Sequence, residues 1–258
     1  MAEELRILQS QAELAEGRFQ RKDGRAFDSH RAIEISKGSI GTADGSSLVR
    51  LGDTCVVCGL RGEIAEIQLG ESGVPSANIG VEVKLPFKNI GYSNPSEEEQ
   101  ALSQTLQNIL MSAEAFQPSP ISDRFFWVLH VTITCLAYDG NLTGASLAAI
   151  SGALSSLKLP GAHHDLELDI LQVDDNYQNV KCTQPIGVGF GIINDELVVD
   201  MSNEETLLSN GESMVVIDED DSVVHLHKGG GTSVDPKQLQ SMIQDAKKHS
   251  QELRKYLK

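Results

Sequence analysis

Short strands and tight turns alternate in the stretch GTADGSSLVRLGDT, which spans residues 41–54. The dipeptide Asp44-Gly45 has the chemistry of a hairpin turn, because both residue types tolerate positive φ angles. The runs 46–51 and 54–63 are rich in the β-branched and alternating apolar residues of strands, and Gly52-Asp53 separates them. We therefore predict two strands joined at Gly52-Asp53.

Strands and helices alternate on each side of this stretch. Further strands are predicted over residues 32–36, 79–85, 127–138, 186–193, 197–200, 213–218 and 222–227. Helices are predicted over residues 3–19, from Ser96 onward, over 142–157 and over 236–256. Ser96 suits an N-cap because three glutamates follow it in the first turn. Each half of the chain thus has strands first and a helix after them, which is an α+β arrangement.

The order of these segments divides the 258 residues into four parts. An N-terminal helix occupies residues 1–19, and a first half of strands and helices occupies residues 20–160. A polar connecting excursion of mixed strand and loop spans residues 161–184, and the second half spans residues 185–258. This length suits one large domain or two small ones.

The charge is strongly acidic and unevenly distributed, with a net value of −16. Residues 1–61 are neutral overall, residues 62–227 carry −20, and residues 228–258 carry +4. A protein that binds nucleic acid alone needs lysine and arginine to displace counterions from phosphates. The middle of this chain therefore cannot do so, and any role with RNA must use its ends or the basic surface of a partner.

The composition also bears on membrane insertion, export and the redox compartment. The longest apolar stretch, residues 125–136, is interrupted by His130 and two threonines, so no membrane span of about 20 apolar residues is expected. The acidic N-terminus is not expected to be a signal peptide, because signal peptides begin with a positively charged region. Four cysteines in a chain of this length do not form a disulfide framework, and a reducing compartment is expected.

Two short motifs are candidate metal sites, and ordinary packing is the alternative explanation of each. Cys55 and Cys58 resemble half of a redox or metal site, but no second pair completes it, and buried core cysteines are favoured. His225 and His227 share one face of a predicted strand and can together bind a metal. No third ligand is apparent nearby, so a surface pair at a strand end is favoured, and we expect no metal or other cofactor.

Two glycine motifs are similarly ambiguous. Gly187-x-Gly189-x-Gly191 lacks the strand-then-helix context of a dinucleotide site, so a closely packed strand is favoured. The run 229–231 precedes a helix whose N-terminus can accept an anion. A plain flexible connection is the favoured reading of that run.

Several stretches, in order, resemble the RNase PH-type domain. They are residues 41–54 preceded by Asp23-Gly24-Arg25, residues 126–129 through Tyr138-Asp139-Gly140-Asn141, and residues 185–193, 198–200 and 204–205. The likeness covers about residues 20–250. It implies an α+β fold of the RNase PH-like, ribosomal protein S5 domain 2-like class with two sheet-and-helix halves.

Within this family the chain resembles the non-catalytic ring subunits of the eukaryotic RNA exosome. The resemblance implies a hexameric ring of related subunits around an RNA channel, with RNA-binding cap subunits on one face and a hydrolytic nuclease on the other. It implies work on RNA 3′ ends, including ribosomal RNA precursors and messenger RNA, in the nucleus, nucleolus and cytoplasm. No membrane partner is implied.

Active members of the family use inorganic phosphate to attack the last phosphodiester bond, and this chemistry needs arginines at two places. The first place here reads Glu97-Glu98-Glu99-Gln100, and no arginine occurs between residues 62 and 123. The second reads Asp139-Gly140-Asn141-Leu142. Carboxylates at these positions would repel phosphate, so we expect no enzyme and assign no catalytic residue.

The resemblance implies that active members pair two aspartates in the second half. Here Asp200 is present, but its neighbours are Glu204 and Glu205, a vestigial acidic corner without the phosphate clamp. Two alternatives remain open. One is an active phosphate-dependent 3′-to-5′ exoribonuclease, and the other is a binding module on the same fold outside the exosome.

Few basic residues in the acidic middle or at its border can face an RNA channel. Arg61, Lys84 and Lys88 are the candidates for RNA contact. Solvated surface charge is the alternative reading of each.

Overall fold

A computed structural model describes residues 20–66, 78–86, 96–165, 168–194, 196–229 and 233–257. Its strands are β1 (Ile33–Lys37), β2 (Gly45–Leu51), β3 (Thr54–Glu66), β4 (Ile79–Lys84), β5 (Phe125–Ala137), β6 (Lys158–Asp165), β7 (Ile170–Asn179), β8 (Ile186–Ile193), β9 (Glu196–Val199), β10 (Glu212–Ile217) and β11 (Val223–Lys228). Its helices are α1 (Glu97–Ser112), α2 (Leu142–Leu154), α3 (Asn203–Leu208) and α4 (Pro236–Leu253), followed by a 3-10 turn, Arg254–Leu257. The helix predicted over residues 3–19 lies outside the described residues.

The first sheet has the strand order β1-β2-β3-β5-β4. The two strands predicted from the opening stretch are confirmed, since β2 and β3 pair antiparallel from Leu51 opposite Thr54 to Gly45 opposite Leu60. Gly52 turns the chain between them at a φ of +57°, a backbone angle that favours glycine. Strand β4 joins the far edge in parallel with β5, and the other pairings are antiparallel.

Helix α2 packs at the centre of the molecule, and nine of its thirteen residues are small enough (Gly, Ala, Ser or Thr) to allow close contact on several sides. Every residue from Gly144 to Leu154 is buried. At Gly45 an added Cβ would come 2.8 Å from the carbonyl oxygen of Ala153, so the backbones of β2 and α2 approach very closely. The same helix also contacts β8 of the second sheet, and it therefore joins the two halves.

The second sheet has the order β11-β10-β8-β9, with each neighbouring pair antiparallel. Met242 and Ala246 of α4 are buried against this sheet. The glycine run of β8 lies in a strand as predicted, and its glycines allow close packing: an added Cβ at Gly187 would lie 2.5 Å from Leu147, and one at Gly191 would lie 2.0 Å from Met201. This packing brings α2 and the residues after β9 close to β8.

The polar segment after residue 160, predicted as a mixture of strand and loop, contains most of a β-hairpin, β6–β7, which forms a separate two-stranded sheet. Helix α3 was not predicted, because six residues are too few to show helical periodicity. Its start is nevertheless encoded, since Ser202 and Glu205 form a capping box.

The cysteine and histidine motifs also have clear positions. Cys58 is buried in the core, and burial strongly raises the pKa of its thiol. For Cys55 the expectation of burial is wrong, because it lies on the opposite, half-exposed face of β3. The rings of His225 and His227 stack 6.5 Å apart, and the described part of the chain brings together no group of three or more metal-ligating residues. Among those same residues no helix combines the length and apolarity needed to span a membrane.

Candidate functional site

The two places where the family resemblance puts phosphate-binding arginines meet at one cavity of about 440 Å³. Helix α1 contributes Glu98, and the start of α2 contributes Asn141 and Leu142. The second sheet closes the cavity with Phe190, Glu212 and other residues of β8 and β10. The fold therefore brings these two places together at one pocket.

The pocket is acidic with an apolar floor. Its described lining contains the carboxylates Glu98 and Glu212 and the imidazole of His227, but neither lysine nor arginine. The pKa of Tyr138 is raised, first by burial and then by the negative charges of Glu212 and Glu98. The electrostatic environment thus opposes an anion such as inorganic phosphate.

The glutamates at the start of α1 have different roles. Glu99 is buried, and its carboxylate accepts hydrogen bonds from the backbone N–H of Leu85 at 2.6 Å and of Ser96 at 2.7 Å. Ser96 Oγ in turn accepts from the backbone N–H of Glu99, which completes a capping box. Glu99 therefore fixes α1 to the end of β4, whereas Glu98 faces the cavity.

Asp200 lies buried directly after β9, at a φ of +51°. Its carboxylate accepts hydrogen bonds from Arg31 at the backbone nitrogen (2.8 Å), Nε (2.9 Å) and Nη2 (2.8 Å), and from Asn141 Nδ2 (2.6 Å). Burial raises the pKa of Asp200, but the hydrogen bonds from Arg31 and Asn141, together with the charges of His30 and Arg31, outweigh burial and hold that pKa well below its usual range. Asp200 is thus an ionised carboxylate whose oxygens are already occupied.

The other two acids of the corner are also paired. Glu205 is buried and receives two parallel hydrogen bonds from Arg21, Nε to Oε1 at 2.8 Å and Nη2 to Oε2 at 2.9 Å. Glu204 is more exposed and forms an ion pair with Lys22. Each of the three acids is therefore bound by a cation from the segment before β1.

The sequence reasoning missed the arginines that hold this corner, Arg21, Arg25 and Arg31. Their partners lie about 170–180 residues away in the chain, so no local spacing reveals them. One signal was available: this chain has few basic residues, and several of them cluster just before the first strand.

The turn after β5 connects the corner to the pocket. Asn141 has a φ of +48°, lines the pocket and donates its amide to Asp200. Gly140 has a φ of +78°, and an added Cβ there would lie 2.5 Å from the carbonyl oxygen of Met201. Thr54 Oγ1 donates to the Gly140 carbonyl at 2.9 Å. The turn is therefore held tightly against the start of the second half.

Two of the three RNA-contact candidates, Arg61 and Lys84, lie on the exposed face of the first sheet. The side chain of Arg61 is 77% exposed, with Nε 3.6 Å from Glu63, and that of Lys84 is 53% exposed, with Nζ 3.4 Å from Glu82. The strand register places both on the same face of the sheet. Lys88 lies outside the described residues. An RNA contact at any of the three stays a prediction.

His30 makes the stability of this region sensitive to pH. It is nine-tenths buried, with Nδ1 3.4 Å from Asp200 and its ring 5.8 Å from that of His249. Burial lowers the pKa of His30, and the charge of Asp200 offsets only part of that effect. The folded chain therefore keeps this ring neutral at pH values where the unfolded chain protonates it.

We expect the free energy of unfolding to be highest above about pH 6.5 and to fall as the pH decreases, because only the unfolded state then takes up the proton. The slope from one such histidine is at most about 1.4 kcal/mol per pH unit. Urea denaturation at several pH values between 7 and 5 gives the slope of the free energy of unfolding against pH. His30→Gln should reduce this slope, and His163→Gln, at an exposed position, should not. Equal slopes in wild type and His30→Gln would show that titratable groups other than His30 cause the pH dependence.

Comparison with protein families covers both halves of the chain. Residues 29–160 match domain 1 of the 3′ exoribonuclease family, RNase PH, and residues 183–249 match its domain 2. “Exosome complex component rrp43” of Schizosaccharomyces pombe is 29% identical over 236 residues, which are 88% of this chain and 86% of that protein. “Exosome complex component Rrp42” of Archaeoglobus fulgidus is 32% identical over 230 residues, 87% of this chain and 85% of that protein.

These likenesses confirm the sequence-based resemblance to exosome ring subunits. Residues 43–46 and 138–141 resemble the corresponding stretches of ribosomal-RNA-processing protein forty-three. The S. pombe relative is named rrp43. The likeness to the Rrp42 component is of similar strength.

Solved structures share the fold over essentially the whole chain. A chain of “archaeoglobus fulgidus exosome with RNA bound to the active site” superposes with a TM-score of 0.81 at 26% identity, covering 100% of this chain and 99% of that one. A chain of “Archaeal exosome core” superposes with a TM-score of 0.80 at 27% identity, covering 99% of this chain and 97% of that one. The predicted α+β fold with two RNase PH-like halves is confirmed.

Proposed function

This chain belongs to the 3′ exoribonuclease family, with both RNase PH domains, and from that premise we propose that it is a non-catalytic structural subunit of the hexameric ring of the RNA exosome. The pocket carries the proposal: where phosphate would dock, the chain places Glu98, Asn141 and Glu212. Such a subunit shapes the RNA channel and holds caps and nuclease. It thereby supports 3′-to-5′ RNA processing and degradation, including ribosomal RNA maturation and messenger RNA turnover.

The chemistry of phosphorolysis explains why these side chains matter. The attacking phosphate and the RNA phosphate are both anions, and arginine pairs neutralise them through two parallel hydrogen bonds. Two carboxylates at the same place repel both anions instead. Asp200 and Glu205 do not compensate, because Arg31 and Arg21 already occupy the oxygens that would bind Mg²⁺ or a transferring proton.

The proposed partners are the other RNase PH-like ring subunits, the RNA-binding caps, the hydrolytic nuclease and RNA in the channel. Residues 62–227, with a net charge of −20, would contact more basic subunits or face solvent away from RNA. Arg61, Lys84 and Lys88 are the proposed RNA contacts. The likeness to a fission yeast exosome component supports an assignment to the nucleus, nucleolus and cytoplasm.

Native mass spectrometry of the tagged chain, purified at low salt from its own cells, tests the proposal. We expect one copy of this chain together with five related ring subunits and the caps. Six copies of the chain would indicate a self-assembled ring and would contradict the structural role. Recovery without any related subunit would favour a binding module outside the exosome.

A further inference from the structure

Strand β7 of the β6–β7 hairpin is the most exposed strand among the described residues. The hairpin forms a sheet of its own, and among the described residues β7 pairs only with β6. Nine of the ten residues of β7 are exposed, including Val173 at 53% and Tyr177 at 58%. An isolated two-stranded hairpin is only marginally stable in water. Exposed apolar side chains on such an element indicate a surface that a partner covers.

Contacts at both ends hold this hairpin in a fixed position. At its base, Leu159 is buried against Trp127 and Gly62 of the first sheet. At its tip, Asp169 accepts a hydrogen bond from Arg124 Nη1 at 2.8 Å and lies 3.0 Å from His164 Nε2. The hairpin is therefore positioned before any partner arrives, which reduces the entropy lost on binding.

The middle of β7 determines the kind of partner. Between Val173 and Tyr177 the strand bulges away from β6, and the bulge carries Asp174 and Asp175. A bulge interrupts the regular edge that another strand would need, so recognition depends on side chains. The two carboxylates repel RNA phosphates, and two copies of the hairpin facing each other would repel as well.

We propose that the β6–β7 hairpin docks onto a neighbouring ring subunit of complementary chemistry. Apolar side chains of that subunit cover Val173 and Tyr177, and its lysine or arginine side chains pair with Asp174 and Asp175. The strongly acidic middle of the chain favours such a basic partner. This inference rests on the proposed function, because it names a surface through which the chain enters the ring.

Variants of the full-length chain, each tagged and purified from its own cells, test this surface. Val173→Ser with Tyr177→Ser removes the apolar contacts, and Asp174→Lys with Asp175→Lys reverses the charge. Each pair is expected to reduce the recovery of one ring neighbour by about tenfold or more, since tyrosines at interface centres commonly contribute that much. The remaining contacts of the chain should retain the other neighbours.

Matched controls change similar residues elsewhere. Leu207→Ser with Tyr256→Ser alters side chains of comparable exposure, and Glu196→Lys with Asp220→Lys gives the same change in charge. These controls should recover all ring neighbours. Recovery of every neighbour by both hairpin variants would overturn the inference while leaving the proposed function intact. Failure of the wild-type chain to recover any ring subunit would overturn both.

A measurement on the wild-type complex avoids any effect of substitution on folding. In the assembled complex, hydroxyl-radical footprinting should label Tyr177 much less than Tyr256, although the two side chains are equally exposed in the isolated chain, at 58% and 56%. Equal labelling of the two tyrosines in the complex would overturn the inference.

Discussion

Replacing Asp200 with alanine is expected to lower the free energy of unfolding by about 3–5 kcal/mol, the usual cost of removing one partner of a buried ion pair. Arg31 is the partner left behind, and its guanidinium is mostly buried. Arg31 would keep contacts to Asp139 and to nearby carbonyl oxygens, but it would lose its main counter-charge. Asp200→Asn should be costly for the same reason, because it keeps the shape and removes the charge.

Urea denaturation of the purified variants at pH 7 measures this loss. Glu204→Gln is the matched control, since it breaks the more exposed ion pair with Lys22, and it should cost less than about 1 kcal/mol. A loss of less than about 1 kcal/mol in Asp200→Ala would contradict a structural role for this acid. In wild type, the contribution of Asp200 should be complete above its unfolded pKa of about 3.9 and decrease as the pH falls below it.

The network around Asp200 gives the acidic corner a role in connecting the two halves of the molecule. Through Arg31 it binds the segment before β1, and through Asn141 it binds the turn that opens α2. Glu205 fixes α3 to Arg21 in the same manner. An acid position that the family resemblance associates with catalysis therefore stabilises the joint between the domains in this chain.

The sequence predicted those elements whose signals are local. Alternation and turn residues located β2 and β3, Ser96 with its glutamates located the start of α1, and the residues from 142 to 157 predicted the helix α2. Each of these signals lies within about 15 residues, so each can be read without knowing the tertiary structure.

The parts that were missed depend on contacts between distant segments. Glu98 and Glu212 are 114 positions apart in the chain, and only the packing of α1 against the second half brings both to one pocket. The pairing of Arg31 with Asp200 spans 169 positions. The family resemblance supplied the location of the pocket, whereas the side-chain partners required the coordinates.

The purified chain is expected to release no measurable nucleoside diphosphate from RNA, at least about 10⁴-fold below an active phosphorolytic enzyme. The estimate follows from the rate loss of about 10³–10⁵ on removing one arginine that stabilises a transferring phosphate. In this chain neither of the two stretches where the family resemblance places arginines, residues 97–100 and 139–142, contains one, and the carboxylates of Glu98 and Glu212 line the pocket. The assay uses an RNA with a single-stranded 3′ end and Mg²⁺, with and without inorganic phosphate. Phosphate-dependent release at the rate of active relatives would establish the chain as an enzyme.

Reversing the charge of the pocket separates repulsion of phosphate from other causes of inactivity. Glu98→Arg with Glu212→Gln raises the net charge of the pocket by three units, since it removes two negative charges and adds one positive charge. The interaction of two unit charges near a protein surface is worth about 1–4 kcal/mol at 4 Å. We therefore expect phosphate affinity, measured by ³¹P NMR titration, to rise about tenfold or more. Asp220→Arg with Glu196→Gln makes the same change in charge away from the pocket and should leave the affinity unchanged. An equal rise in both variants would show that the net charge of the chain, rather than the pocket carboxylates, excludes phosphate.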